Sequence, residues 1–485
     1  VTKVITIVGL GPGDPQLVTR QAWQVLTDAR EVFLRTRDHP VADALPPVLA
    51  IHSFDSFYQN AENFSEVYYR IVDHIFKEIE TRDSLIYAVP GDPSIGEATV
   101  TAIRERARKE GIETRLISGV SFLEPCLSLL ELDALDGLHV IDALELVTAH
   151  HPPFHPDHPV MIGQLYSKWV ASDVKLTLMN QYPDEHPVTL IHQGGTPQFE
   201  LESMRLYEID RSEQIGSMTS LFVPPLPGRS SLESFQETVA HLRAPDGCPW
   251  DREQTHASLR MHVLEECYEV LQALDTEDLD SLQEELGDLL LQIVLQTQIA
   301  TEAGEFTMAD VIRGINAKII QRHPHVFGDI DISEVDQVLH NWEILKAAER
   351  EAQGNQKGLL DGVPKGLPAL AQANELQIRV ARVGFDWEKI EDVLDKIKEE
   401  LDEVIHAPDK VSRAAEVGDL LFAVVNYARW LEVDPESVLR SANQRFRNRF
   451  AELEQRAQST HQELSEMALQ ELDSLWEEVK KDECN

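Results

Sequence analysis

Two stretches of this chain carry the same acidic residues in the same order. The first reads Glu265-Glu266-x-x-Glu269, then Glu285-x-x-Asp288; the second reads Glu399-Glu400-x-x-Glu403, then Glu416-x-x-Asp419. On a helix Glu265 and Glu269 stand one turn apart, and Glu266 lies about 100° around from Glu265. Glu285 and Asp288 share a face for the same reason. Two such helices joined by a short connection pack antiparallel, which would bring about five carboxylates to one place. Such a cluster repels itself unless a divalent cation neutralises it. Hard oxygen donors on a rigid scaffold suit Mg2+ or Mn2+, ions that commonly accompany phosphate substrates. The pattern points to metal-assisted phosphate chemistry, in duplicate.

A glutamate-rich helix is ordinarily a solvated face, but the neighbours here speak against that. Glu285-Leu286-Gly287-Asp288-Leu289-Leu290-Leu291 and Glu416-Val417-Gly418-Asp419-Leu420-Leu421-Phe422 set the acids among apolar residues. Carboxylates in such company are costly unless paired or metal-bound. Gly287 and Gly418 occupy the same slot, at roughly 1 kcal/mol each relative to Ala, and predict the close approach of a neighbouring helix. Basic and tryptophan residues follow each copy in the same order. Lys318-x-x-x-Arg322 and Trp342-x-x-x-Lys346 follow the first; Arg445-x-x-x-Arg449 and Trp476-x-x-x-Lys480 follow the second. Paired cations on one helix face suit a phosphate chain. The tryptophans suit either base stacking or core packing.

The elements that position these residues are legible in outline. At 485 residues the chain has room for three or four domains of ~100–200 residues. The net charge of -41, from 84 acidic and 43 basic residues, disfavours a nonspecific grip on nucleic acid or on anionic membranes. A bound polyphosphate would therefore need metal or a local basic patch. The four cysteines are scattered, which argues against a disulfide framework or zinc site and fits a reducing compartment. No apolar run reaches the ~18 residues of a membrane span, and Val1–Val8 reads as a strand rather than a signal peptide. A cytoplasmic location is expected.

The chain changes character near residue 225. Before it, β-rich runs at Val4–Val8, Val32–Arg35, Leu85–Val89, Thr114–Ile117, Val160–Ile162, Thr189–His192 and Ser220–Val223 alternate with helical stretches. That is the signature of an α/β domain with a mainly parallel sheet early on. After it, the periodicity is helical throughout, so the fold expected is multidomain, two-lobed α/β followed by tandem all-α repeats. The boundaries read as an α/β domain over 1–224 (lobes about 1–118 and 119–224), a linker at 225–231, repeat 1 over 232–357, a linker at 358–368 and repeat 2 over 369–485. The run His150-His151-Pro152-Pro153-Phe154-His155-Pro156-Asp157-His158-Pro159 reads as a connection between lobes rather than a metal site, because its prolines forbid a regular scaffold.

Three glycine turns follow strands in the α/β half: Gly9-Leu10-Gly11-Pro12-Gly13-Asp14-Pro15, Pro90-Gly91-Asp92-Pro93-Ser94-Ile95-Gly96 and Ser118-Gly119-Val120-Ser121-Phe122. The first is not a dinucleotide loop, since the third glycine of G-x-G-x-x-G falls on Asp14 and Pro12 removes an N–H. It is not a P-loop either, lacking G-K-[ST]. Taken singly each turn is ordinary. Together they can line the carboxyl edge of one parallel sheet, where such folds bind ligands.

Two resemblances gather these motifs. The helical half, about residues 230–482, resembles the MazG family of nucleoside triphosphate pyrophosphohydrolases in its two-repeat form. It does so through both acidic motifs, Gly247-Cys248-Pro249-Trp250-Asp251, Arg322-His323-Pro324-His325-Val326-Phe327 and Val383-Gly384-Phe385-Asp386-Trp387. The resemblance implies an all-α homodimer joined through this half, Mg2+ or Mn2+ dependence, and cleavage of (d)NTP to (d)NMP and pyrophosphate. It implies metal ligands at Glu265, Glu266, Glu269, Glu285, Asp288, Glu399, Glu400, Glu403, Glu416 and Asp419. The glutamates of the two E-E-x-x-E motifs are also the catalytic candidates, one acid orienting or deprotonating the attacking water. Nucleotide contacts are implied at Lys318, Arg322, Trp342, Lys346, Arg445, Arg449, Trp476 and Lys480, with Arg445 standing where lysine is more usual.

The first half resembles the tetrapyrrole methylase family through its three turns. That implies S-adenosyl-L-methionine bound by Gly91, Asp92, Ile95, Ser121 and Phe122, with Gly11, Pro12, Gly13 and Asp14 on the side of a small-molecule methyl acceptor. Asp14 alternatively caps a helix. The join of the two halves resembles the YabN-type fusion. Two rival readings stay open: a methyltransferase whose helical half only dimerises or senses nucleotide, and a hydrolase regulated by a non-catalytic domain that binds S-adenosylmethionine.

Overall fold

The computed structural model describes residues 3–59, 64–328, 358–459 and 463–483. The chain divides into two compact units, Val1–Gly247 and Cys248–Asn485.

The first unit holds two five-stranded sheets. In the first sheet, β1 (Val4–Gly9), β2 (Glu31–Leu34), β3 (Ala50–Ser53), β4 (Ser84–Val89) and β5 (Glu113–Ile117) lie in the order β3-β2-β4-β1-β5, all parallel. Alternation along β1 sends Ile5 and Ile7 into one core with Phe76, Tyr87 and Ile103, and Val8 into another with Leu26, Leu34 and Ala88. Helices cover both faces, so the central strands must be apolar throughout. The second sheet has β6 (His139–Asp142), β7 (Val160–Gly163), β8 (Pro187–His192), β9 (Glu200–Arg205) and β10 (Thr219–Val223) in the order β6-β7-β10-β8-β9. Only β6 and β7 pair in parallel; the other pairs are antiparallel. The seven runs read from sequence are all strands. The three strands not foreseen, β3, β6 and β9, are sheet edges, where a strand needs no apolar run.

The units do not part at 225–231. Asp157 accepts hydrogen bonds from the backbone N–H of Ser230 (2.7 Å) and Ser231 (3.2 Å), from Ser231 Oγ (2.5 Å) and from Ser234 Oγ. Burial works against its charge, yet these donors hold its carboxyl well below the usual carboxylate range. Ser231 in turn caps the helix Leu232–Arg243, accepting from Ser234 N–H at 3.0 Å. That helix therefore belongs to the first unit, and the division falls after Gly247. The histidine-rich run also differs from expectation. It joins the helix Ala143–Thr148 to β7, inside the second lobe rather than between lobes.

The second unit is helical. Arg260–Asp275 and Leu279–Ala303 form one hairpin, followed by Met308–Arg322. Ala369–Arg382 leads into a second hairpin, Ile390–His406 with Lys410–Trp430, and then Pro435–Ser459 and Leu469–Glu483. Each hairpin turn is stopped by an aspartate N-cap. Asp278 accepts from the N–H of Asp280 (3.1 Å) and Ser281 (3.2 Å), and Asp409 from Val411 (2.8 Å) and Ser412 (2.9 Å). The stretch read as a linker at 358–368 is tied to the next helix. Arg379 donates to the carbonyls of Leu359 (3.4 Å) and Gly362 (3.0 Å), and Val363 is buried. Among the described residues no helix is long and apolar enough to cross a membrane.

Candidate functional site

The short turns fold each hairpin back on itself, so acids at matching distances before and after the turn meet. In the first copy Glu266, Glu285 and Asp288 each offer an oxygen, all within 4.8 Å of one another. In the second, Glu400, Glu416 and Asp419 do the same. Three of the five acids in each motif thus converge. Glu269 stands against Glu266 and hydrogen-bonds with it, and Glu403 is near enough to Glu400 and Glu416 to feel their charge. Glu265 and Glu399 turn outward. The Glu265 side chain is 65% exposed with His262 Nδ1 at 3.8 Å, and that of Glu399 is 58% exposed with Lys396 Nζ at 2.9 Å. About 100° of helix rotation separates Glu265 from Glu266 and Glu399 from Glu400, so adjacent glutamates face different ways.

Burial and like charge together perturb these carboxyls. Burial, then Asp288, Glu269 and Glu285, pushes the Glu266 carboxyl up. Burial with Glu269, Glu284 and Asp288 raises Glu285, and burial with Glu400 and Glu416 raises Glu403. Glu400 is 5% exposed, and its Oε2 is buried with no hydrogen-bond partner. Three convergent hard donors and a buried oxygen without a partner fit a divalent cation. Gly287 and Gly418 differ from expectation: a Cβ at either would meet nothing within 4 Å. Among the described residues no neighbouring helix presses on them.

Lys318 and Arg322 share a face of Met308–Arg322, the former exposed and the latter half-buried. Trp342 and Lys346 lie outside the described residues. In the second copy Arg445 is exposed and Arg449 half-buried on Pro435–Ser459. Trp476 packs on Phe446 with ring centroids 5.2 Å apart, and Lys480 pairs with Glu477 at 2.7 Å. The motif reading missed two residues, His262 and Lys396, which sit one helical turn before Glu266 and Glu400. The only signal for them was their shared register.

In the α/β unit, Gly91, Asp92, Ile95, Ser121 and Phe122 all line one cleft of about 580 Å³. The turns that carry them pack backbone on backbone. A Cβ at Gly119 would lie 2.2 Å from Gly91 O, and one at Gly9 would lie 2.6 Å from both Gly119 N and Gly91 O. Gly11 and Gly91 exchange hydrogen bonds (3.2 and 2.8 Å), and Asp92 Oδ2 accepts from Gly119 N–H at 3.0 Å. Of Gly11, Pro12, Gly13 and Asp14, only Pro12 lines the cleft. Asp14 caps the short helix Pro15–Leu17, accepting from Gln16 N–H at 2.8 Å, so the capping role is the one the structure displays.

The cleft also holds a buried ion pair that no motif announced. Arg35 Nη1 lies 2.5 Å from Glu97 Oε1, and its Nη2 donates to Tyr68 Oη at 3.2 Å. Burial opposes the Arg35 charge, but Glu97 and the surrounding tyrosines hold its pKa above the ordinary value. His39, also lining the cleft, is pushed by burial down to about 4 and is a neutral imidazole at pH 7.

Comparison with known proteins covers both units. The family model for tetrapyrrole (corrin/porphyrin) methylases matches residues 4–210, that for the MazG nucleotide pyrophosphohydrolase domain matches 254–327, and that for phosphoribosyl-ATP pyrophosphohydrolase matches 377–446. The second acidic copy is thus matched by a different model from the first. The chain is 41% identical over 488 residues to the uncharacterized protein YabN of Bacillus subtilis, covering 99% of each. It is 46% identical over 250 residues to the nucleoside triphosphate pyrophosphohydrolase/pyrophosphatase MazG of Thermotoga maritima, covering 51% of this chain and 95% of that one. To the nucleoside triphosphate pyrophosphohydrolase of Escherichia coli K12 it is 44% identical over 262 residues, covering 53% and 99%.

The raised carboxyls carry a pH signature. A group whose folded pKa is raised contributes stability below its unfolded pKa and loses it as pH rises through the folded value. Glu266, Glu285 and Glu403 therefore strain the ion-free fold at neutral pH. Added Mg2+ should raise the Tm of the full chain at pH 7 by several degrees, and the gain should shrink as pH falls towards about 4.5, where carboxylates protonate. A Tm insensitive to Mg2+ at pH 7 in scanning calorimetry would oppose this reading.

Proposed function

The chain belongs to the family of YabN, in which a tetrapyrrole methylase domain precedes a MazG-type helical region, and from that membership we propose that the helical unit is a divalent-metal-dependent nucleoside triphosphate pyrophosphohydrolase. The observation that carries this is the pair of convergent trios, Glu266/Glu285/Asp288 and Glu400/Glu416/Asp419. A module that only dimerises would have no use for two clusters of mutually repelling acids, and turnover separates hydrolysis from nucleotide sensing. The trios would hold Mg2+ or Mn2+, which when bound supplies positive charge against a triphosphate and makes nearby water more acidic.

Glu269 and Glu403 adjoin the trios without completing them. They are proposed to take the proton from the attacking water. The water oxygen bonds to the α-phosphorus of a (d)NTP, the bond from that phosphorus to the bridging oxygen breaks, and pyrophosphate leaves with (d)NMP remaining. Lys318 and Arg322, with Trp342 and Lys346, would hold phosphates and base in the first copy. Arg445, Arg449, Trp476 and Lys480 would do so in the second.

The unit is proposed to act as a homodimer. Ile312, Ile315 and Ile319 share one exposed apolar face of Met308–Arg322, with Ile315 48% and Ile319 42% exposed. The space at Gly287 and Gly418, open among the described residues, suits a second copy. In the α/β unit, the cleft lined by Gly91, Asp92, Ile95, Ser121 and Phe122 is proposed to bind S-adenosyl-L-methionine and present its methyl group to a small-molecule acceptor.

Three outcomes are expected. Glu266→Gln combined with Glu400→Gln should lower Mg2+-dependent pyrophosphate release from (d)NTP by at least about 100-fold; an unchanged rate, or NDP and phosphate as products, contradicts the assignment. Gly119→Ala should abolish S-adenosylmethionine binding by calorimetry while pyrophosphate release persists, because the new Cβ strikes Gly91 O; wild-type calorimetry showing no binding overturns the cofactor. Ile315→Asp should shift the chain from dimer to monomer in light scattering, and a monomeric wild type would refute the interface.

A further inference from the structure

The two carboxylate pockets differ in one built-in charge. Lys396 stands one turn before Glu400, and its Nζ lies 2.7 Å from Glu400 Oε1 and 2.9 Å from Glu399 Oε1. The Lys396 side chain is 33% exposed and that of Glu400 only 7%. The ammonium therefore reaches in from the rim and occupies one oxygen of the most buried acid of the trio. The other oxygen, Oε2, is buried and has no hydrogen-bond partner. At the same register of the first copy stands His262, one turn before Glu266. Its Nδ1 is 3.8 Å from the outward-facing Glu265, and its ring meets Trp250 edge-on at 6.2 Å. Among the described residues no lysine or arginine nitrogen lies within 4.0 Å of a carboxylate oxygen of Glu266, Glu285 or Asp288.

We infer that Lys396 is a tethered cation that competes with the divalent ion for Glu400, so that the pocket of Glu266, Glu285 and Asp288 loads metal at lower concentration than the pocket of Glu400, Glu416 and Asp419. The inference rests on the proposed metal role of the trios and adds an order to it. A divalent ion entering the first pocket relieves repulsion that no lysine or arginine among the described residues offsets. An ion entering the second must first displace an ion pair already formed in a partly desolvated position, and that pair is worth more there than on an open surface. The carboxylate sets are the same in kind, so the difference in affinity comes from the lysine.

The test is a Mn2+ titration of the full chain without nucleotide, with free Mn2+ followed by electron paramagnetic resonance. The wild type should show two classes of site, the tighter removed by Asp288→Asn and the weaker by Asp419→Asn. Lys396→Met should tighten the weaker class by about tenfold, and Lys396→Gln should act in the same direction. His262→Lys should weaken the tighter class, an independent check should the lysine variants fold poorly. Two classes of equal affinity in the wild type, or a weaker class unmoved by Lys396→Met, would overturn the inference while leaving the metal sites standing. Absence of Mn2+ at both pockets would remove the metal reading and the inference together.

Discussion

Mutual repulsion among carboxylates held face to face across a helix hairpin is the constraint on which the helical unit depends. Each hairpin is closed by a turn of three residues, Thr276–Asp278 or Ala407–Asp409, with its aspartate capping the outgoing helix. That cap fixes the register, and the register brings Glu266 against Glu285 and Asp288, and Glu400 against Glu416 and Asp419. A solvated helix would turn such acids apart. Here the hairpin register brings them together although Leu286, Leu290, Val417 and Leu421 beside them stay exposed, so the fold imposes a repulsion that a cation reconciles.

The α/β unit solves its own packing problem with glycine. The turns after β1, β4 and β5 approach so closely that side chains at Gly9 and Gly119 would overlap neighbouring backbone. Bare backbone at the carboxyl edge of a parallel sheet leaves a cleft whose walls come from the turns and whose floor carries Arg35 and Glu97. Asp92 ties the second turn to the third through Gly119 N–H. One residue thus serves both the rigidity of the cleft and its lining.

Much of this was legible in the sequence because it rests on short-range rules. Central strands such as β1 and β4 are apolar on both faces and announce themselves; β3, β6 and β9 lie at edges and do not. The twin acidic motifs were visible as spacing, but spacing does not say which of two adjacent glutamates turns inward, and Glu265 and Glu399 turned out to face solvent. Gly287 and Gly418 suggested the close approach of a helix, and among the described residues the space beside them is open. Asp157 was hidden among histidines and prolines, since its role depends on serines more than seventy residues away. The Arg35–Glu97 pair was illegible for the same reason, being set by tertiary packing, whereas Lys396 stands one helical turn from Glu400 and was overlooked although that register is local.

The most direct test of the central claim is anomalous scattering from crystals soaked in Mn2+. The account predicts a peak among Glu266, Glu285 and Asp288, and a second among Glu400, Glu416 and Asp419 as the concentration rises. Crystals with no manganese at either trio, and with the six carboxylates turned apart into solvent, would contradict it.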